Sequence, residues 1–93
     1  MGLIQVALLE DSTVELRLIE RELAAAQDAT YVIEHHDNLQ DFLVAIGRRR
    51  FDVLLIDLCV PDSEGLGTFE AVRAAAPDRP IIVQSGLDEG EVA

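Results

Sequence analysis

Residues 51–66 read FDVLLIDLCVPDSEGL, and their order decides the fold. The apolar run over residues 53–56 does not alternate, which is the pattern of a strand covered on both faces, and it ends on a single carboxylate, Asp57. Pro61, Asp62, Ser63 and Gly65 then make a loop. In open α/β sheets ligands collect outside the carboxyl ends of the strands, because loop amides and helix N-termini converge there. Asp57 is therefore placed for chemistry.

The same grammar recurs on both sides of this stretch. Residues 3–9 (LIQVALL) are apolar except for Gln5 and run into Glu10 and Asp11, as a first buried strand would. Ser12 and Thr13 are candidate N-caps for a helix whose Leu16, Ile19, Leu23 and Ala26 share one face. Tyr31, Val32 and Ile33 form a short second strand. Asp37 or Asn38 caps the next helix, in which Leu39, Phe42, Leu43 and Ile46 keep the i, i+3, i+4, i+7 spacing. Arg48, Arg49 and Arg50 follow at its end, where cations complement the helix dipole. Beyond the loop, Leu66, Phe69 and residues 72–76 predict a third helix stopped by Pro77, and residues 80–85 (PIIVQS) a fourth strand. Residues 86–89 read as a loop and residues 90–93 as the first turn of a helix that the sequence does not complete.

The order βαβαβαβ predicts an α/β fold: a doubly wound, mostly parallel sheet with right-handed crossovers and helices on both faces. No repeat or linker divides the 93 residues, so one domain is expected over residues 1–93, incomplete at its C-terminal end. With 49% hydrophobic residues there is material for a core. No apolar run approaches the roughly 20 residues needed to span a bilayer, and no basic segment followed by a long apolar one opens the chain, so a cytoplasmic protein is expected. Eighteen acids against seven bases give a net charge of -11, which repels nucleic-acid phosphates and anionic lipid headgroups. Every base is an arginine; there is no lysine. The lone cysteine, Cys59, cannot form an internal disulfide and reads as a half-buried structural thiol, and His35 and His36, pointing to opposite faces of a strand end, read as surface residues.

Glu10, Asp11, Asp57 and Ser85 each fall at the C-terminal end of a predicted parallel strand, so if the first, third and fourth strands are neighbours the four meet at one edge. Three carboxylates together repel one another, and a hard divalent cation such as Mg²⁺ relieves that repulsion. A cation beside Asp57 would also neutralise an incoming phosphoryl group, with Asp57 as nucleophile and Ser85 donating to a phosphoryl oxygen. Taken singly these residues have plainer roles: caps for Asp11 and Ser12, a solvated acid for Glu10, a turn former for Ser85. Their joint placement is what points to phosphoryl transfer.

Through LLEDS at the first strand, DVLLIDLCVPDSEGL around the third and PIIVQSGLDE at the fourth, the chain resembles the receiver domain of two-component response regulators over residues 1–93. The resemblance implies a flavodoxin-like fold with strands in the order 2-1-3-4-5, of which strand five and its flanking helices are missing here. It implies Asp57 as phospho-acceptor, Glu10 and Asp11 as the Mg²⁺ pair, with Asp11 a direct ligand and Glu10 acting through water, Cys59 lending a backbone carbonyl to the metal, and Ser85 as the switch hydroxyl. The implied partners are a sensor histidine kinase or phosphotransfer protein and a downstream effector, with a homodimer as a further possibility, in an autocatalytic phospho-acceptor rather than a conventional enzyme. The family's lysine and aromatic switch residue belong to strand five and have no counterpart in this sequence, which leaves a non-phosphorylated pseudo-receiver, acting as an interaction module, as the alternative. A haloacid-dehalogenase-like phosphatase is disfavoured, since it wants a second acid two residues after the first, where Cys59 stands.

Overall fold

Nine elements follow one another in the computed structural model, which describes residues 2–85. They are β1 (Gly2–Leu9), α1 (Thr13–Ala25), β2 (Ala29–His36), α2 (Leu39–Arg48), β3 (Val53–Asp57), β4 (Cys59–Val60), β5 (Ser63–Glu64), α3 (Leu66–Ala75) and β6 (Ile81–Ser85). The four long strands form one sheet in the order β2-β1-β3-β6, every pair parallel. This is the flavodoxin-like order expected from the sequence. The expected loop after Asp57 holds a small antiparallel ribbon instead, with Cys59 opposite Glu64 and Val60 opposite Ser63. The predicted loop and helical turn over residues 86–93 lie outside the described residues.

Strand pleating sorts the core into two faces. Ala7 and Leu9 of β1 and Leu54 and Ile56 of β3 pack with Phe42 of α2 and Val72 of α3 in one buried cluster. Val6 and Leu8, which alternate with them, are also buried and face the opposite side, where Ile19 of α1 is buried. The middle of the sheet is thus covered on both faces, which is why residues 6–9 of β1 and 53–56 of β3 read as continuous apolar runs. On α1 only Ile19 of the expected stripe is fully buried, while Val14 and Leu18 are exposed.

Local chemistry fixes the helix starts. Ser12 Oγ accepts from the Glu15 amide at 3.2 Å and Asn38 Oδ1 from the Asp41 amide at 2.9 Å, so α1 and α2 each have a side-chain cap on one of their first amides. The helix α3 begins at Gly65, whose φ of 72° is a conformation that glycine adopts at least cost. Leu66, at the start of the predicted third helix, is 71% exposed, while Thr68 is buried. Arg48 stays in the last turn of α2, but Arg49 stacks over the Phe51 ring at 4.4 Å and donates to Gln5 Oε1, and Arg50 pairs with Asp78 at 3.2 Å. Two of the three arginines therefore brace neighbouring strands and loops rather than the helix end.

Candidate functional site

Parallel register brings the ends of β1 and β3 together: Leu9 lies opposite Ile56, so Glu10 and Asp11 emerge beside Asp57. One oxygen from each of Glu10, Asp11 and Asp57 lies within 4.8 Å of the others, a group of acids able to close on a single ion. Asp11 is exposed, whereas Asp57 is 7% exposed and Glu10 only 1%. The plain reading of Glu10 as a solvated acid does not hold, because the β1–α1 turn carries it inward.

Glu10 is held from several directions. The Ser12 amide donates to Oε2 at 3.0 Å and Gln84 Nε2 donates to Oε1 at 2.6 Å. Its backbone N–H donates to the His36 carbonyl at 3.0 Å, and its own carbonyl accepts from His35 Nε2 at 2.6 Å. Burial is the main cause raising the Glu10 carboxyl above its ordinary value; the charge and hydrogen-bonding of Asp57 and the charge of Asp11 add to it, and the Ser12 amide opposes it. For an acid raised in the folded state, the stabilising contribution is fully present below the unfolded value of 4.5 and is lost as pH climbs through the higher folded value. Glu10→Gln is accordingly expected to raise the thermal midpoint at pH 7.5 and to leave it nearly unchanged at pH 4, as read by circular dichroism melts.

Asp57 is aimed by the loop that follows it. The Cys59 amide donates to Asp57 Oδ1 at 2.9 Å, and the ribbon that sets this amide is closed by the Gly65 amide on the Leu58 carbonyl at 2.9 Å. Beneath it the buried Thr68 hydroxyl donates to the same Leu58 carbonyl at 3.0 Å and bonds Ser63 Oγ at 2.6 Å. Asp62, on the tip of the ribbon, accepts from the Leu39 and Gln40 amides at 2.8 and 3.0 Å, and these bonds hold its carboxyl below the usual range. The loop is thereby tied to the first turn of α2. Cys59 itself is exposed rather than half-buried.

Ser85 stands opposite Asp57 in the β3–β6 ladder; its side chain lies outside the described residues. His35 is exposed and His36 half-buried beside Glu34, and they turn to different partners as adjacent strand residues must. Sequence reading missed Gln84, Thr68 and Asp62. Gln84 did carry a signal, a lone amide inside the apolar run PIIVQS; Asp62 and Thr68 carried none beyond that of a turn former and a helix residue.

An acidic, partly buried cluster with an anchored carboxylate suits a hard cation and an oxyanion better than a hydrophobic ligand. The model of the response regulator receiver domain family matches residues 6–93. The chain is 32% identical over 91 residues to protein-glutamate methylesterase/protein-glutamine glutaminase 5 of Myxococcus xanthus, covering 97% of this chain and 26% of that protein. Regulatory protein LuxO of Vibrio cholerae shares 42% over 43 residues, 46% of this chain and 10% of its own length. Among solved structures, the MaeR response regulator bound to beryllium trifluoride superposes with a TM-score of 0.78 at 15% identity, over 96% of this chain and 72% of that one. The phosphorylated cyanobacterial phytochrome response regulator RcpA gives 0.75 at 21%, over 96% and 70%. The chain spans about a quarter of the length of the methylesterase relative.

Proposed function

This chain belongs to the response regulator receiver domain family, and from that premise we propose that it is a phosphorylation-switched signalling module with Asp57 as acceptor. The observation that supports the reading most is the anchoring of Asp57 Oδ1 by the Cys59 amide beside two further acids. With Oδ1 held, attack is assigned to Oδ2. Its lone pair forms the new oxygen–phosphorus bond as the bond from phosphorus to the donor's leaving group breaks, which leaves an acyl phosphate on Asp57 and returns the electron pair to the leaving group.

Glu10, Asp11 and Asp57, with the Cys59 carbonyl, are the groups assigned to hold Mg²⁺. Bound there, the ion supplies charge neutralisation for the phosphoryl oxygens. Glu10 and Asp11 concentrate negative charge at the strand ends, so an incoming phosphoryl group is repelled until that charge is compensated. Ser85, opposite Asp57 in the ladder, is assigned to donate its hydroxyl to a phosphoryl oxygen. The donor class is a phosphohistidine on a kinase or phosphotransfer protein, and the output is a changed affinity for an effector. Among the described residues no helix is long and apolar enough to cross a membrane.

The test is intact mass after incubation with MgCl₂ and a small acyl phosphate. A single phosphoryl adduct is expected, lost on adding EDTA before the donor. A folded chain that gains no adduct sinks the reading.

A further inference from the structure

We propose that Gln84 is a positioning residue that occupies Glu10 in the cation-free site and competes with a divalent cation for it; this rests on the reading of Glu10, Asp11 and Asp57 as a cation site. The ladder between β3 and β6 runs Leu54↔Ile81, Leu55↔Ile82 and Ile56↔Val83, then steps to Asp57↔Ser85. Gln84 is the residue left unopposed. An extra residue of this kind bends its strand and re-aims the side chain, and next to active sites such irregularities serve that purpose.

Here the carboxamide passes the end of β3 and reaches the end of β1, donating to Glu10 Oε1 at 2.6 Å across 74 positions of sequence. The other oxygen, Oε2, already accepts from the Ser12 amide at 3.0 Å. Both carboxylate oxygens thus carry a protein donor, and a donor to an ionised acceptor is among the stronger hydrogen bonds. A hard cation uses a carboxylate either directly or through one of its own waters, and both routes require lone pairs on those oxygens. Gln84 sits on one of them. An apolar side chain at this position would leave Glu10 more available to a cation, so the amide sets the affinity downward.

The experiment compares the parent chain with Gln84→Met, of similar length without a donor, and Gln84→Lys, which returns a charged donor. Mg²⁺ dissociation constants are read by calorimetry, and the ¹⁵N side-chain amide resonance of Gln84 is followed in the parent through the same titration. The expected results are Mg²⁺ binding about three- to tenfold tighter in Gln84→Met, the loss of one hydrogen bond's worth of competition, weaker binding in Gln84→Lys, and a Gln84 resonance that shifts with the parent's own dissociation constant. Equal or weaker binding by a folded Gln84→Met, or a parent resonance that stays put through saturation, overturns the inference and leaves the cation site standing. Mg²⁺ binding to none of the three chains overturns the cation site and the inference together.

Discussion

Asp57→Asn is expected to gain no phosphoryl group under conditions where the parent chain gains one, as read by intact mass. The carboxamide oxygen carries no full charge and its lone pair is delocalised towards nitrogen, so it is a far poorer nucleophile than a carboxylate. The change is nearly isosteric, and Asn Oδ1 can still accept the Cys59 amide that now anchors Asp57 Oδ1. It also removes one of three mutually repelling acids from beside the buried Glu10. The variant is therefore expected to fold with a thermal midpoint equal to or above the parent's, which separates lost chemistry from lost structure. An adduct that persists on Asp57→Asn would move the nucleophile to another residue.

The largest loss of stability is expected from Phe42→Ala. Phe42 is fully buried, on the face of α2 turned to the sheet, and packs in the cluster formed by β1, β3 and α3. Truncating such a ring removes its transfer free energy and leaves a cavity that a parallel sheet cannot collapse to fill, a cost of about 3–5 kcal/mol. For a domain whose whole stability is on the order of 5–15 kcal/mol, that is a large share. Urea titration should show the midpoint falling with an unchanged slope. Val44→Ala, two residues further along the same helix on its exposed face, is expected to change stability by no more than about 0.5 kcal/mol. A large effect at both positions would mean that the outer face of α2 is covered in solution.

What the sequence disclosed depended on how each residue's environment is decided. β1 and β3 are covered on both faces, so burial alone wrote them as apolar runs, and the positions of Glu10, Asp11 and Asp57 followed from strand ends and parallel register. β2 was read as three residues and spans Ala29–His36, because Glu34, His35 and His36 are paired through backbone bonds to β1 while their polar side chains carry no apolar signal. The ribbon β4–β5 has two residues on each side and no periodicity long enough to register. The burial of Thr68 beside an exposed Leu66 was not legible, because the helix α3 is phased by Gly65, whose positive φ sets the entry angle, and the hydroxyl of Thr68 finds two partners indoors. Gln84 escaped because its role depends on a one-residue slip between β3 and β6, a relation between two distant segments.

The carboxylate of Asp62 has a consequence for observation rather than for chemistry. At an open helix start the first amide protons trade with solvent quickly, since nothing in the helix accepts from them. In this chain those of Leu39 and Gln40 are sealed by a side chain that belongs to the loop after Asp57. Their hydrogen-exchange rates therefore clock the detachment of that loop from α2. The domain thus carries, in two backbone amides, a built-in gauge of whether the loop after Asp57 is docked.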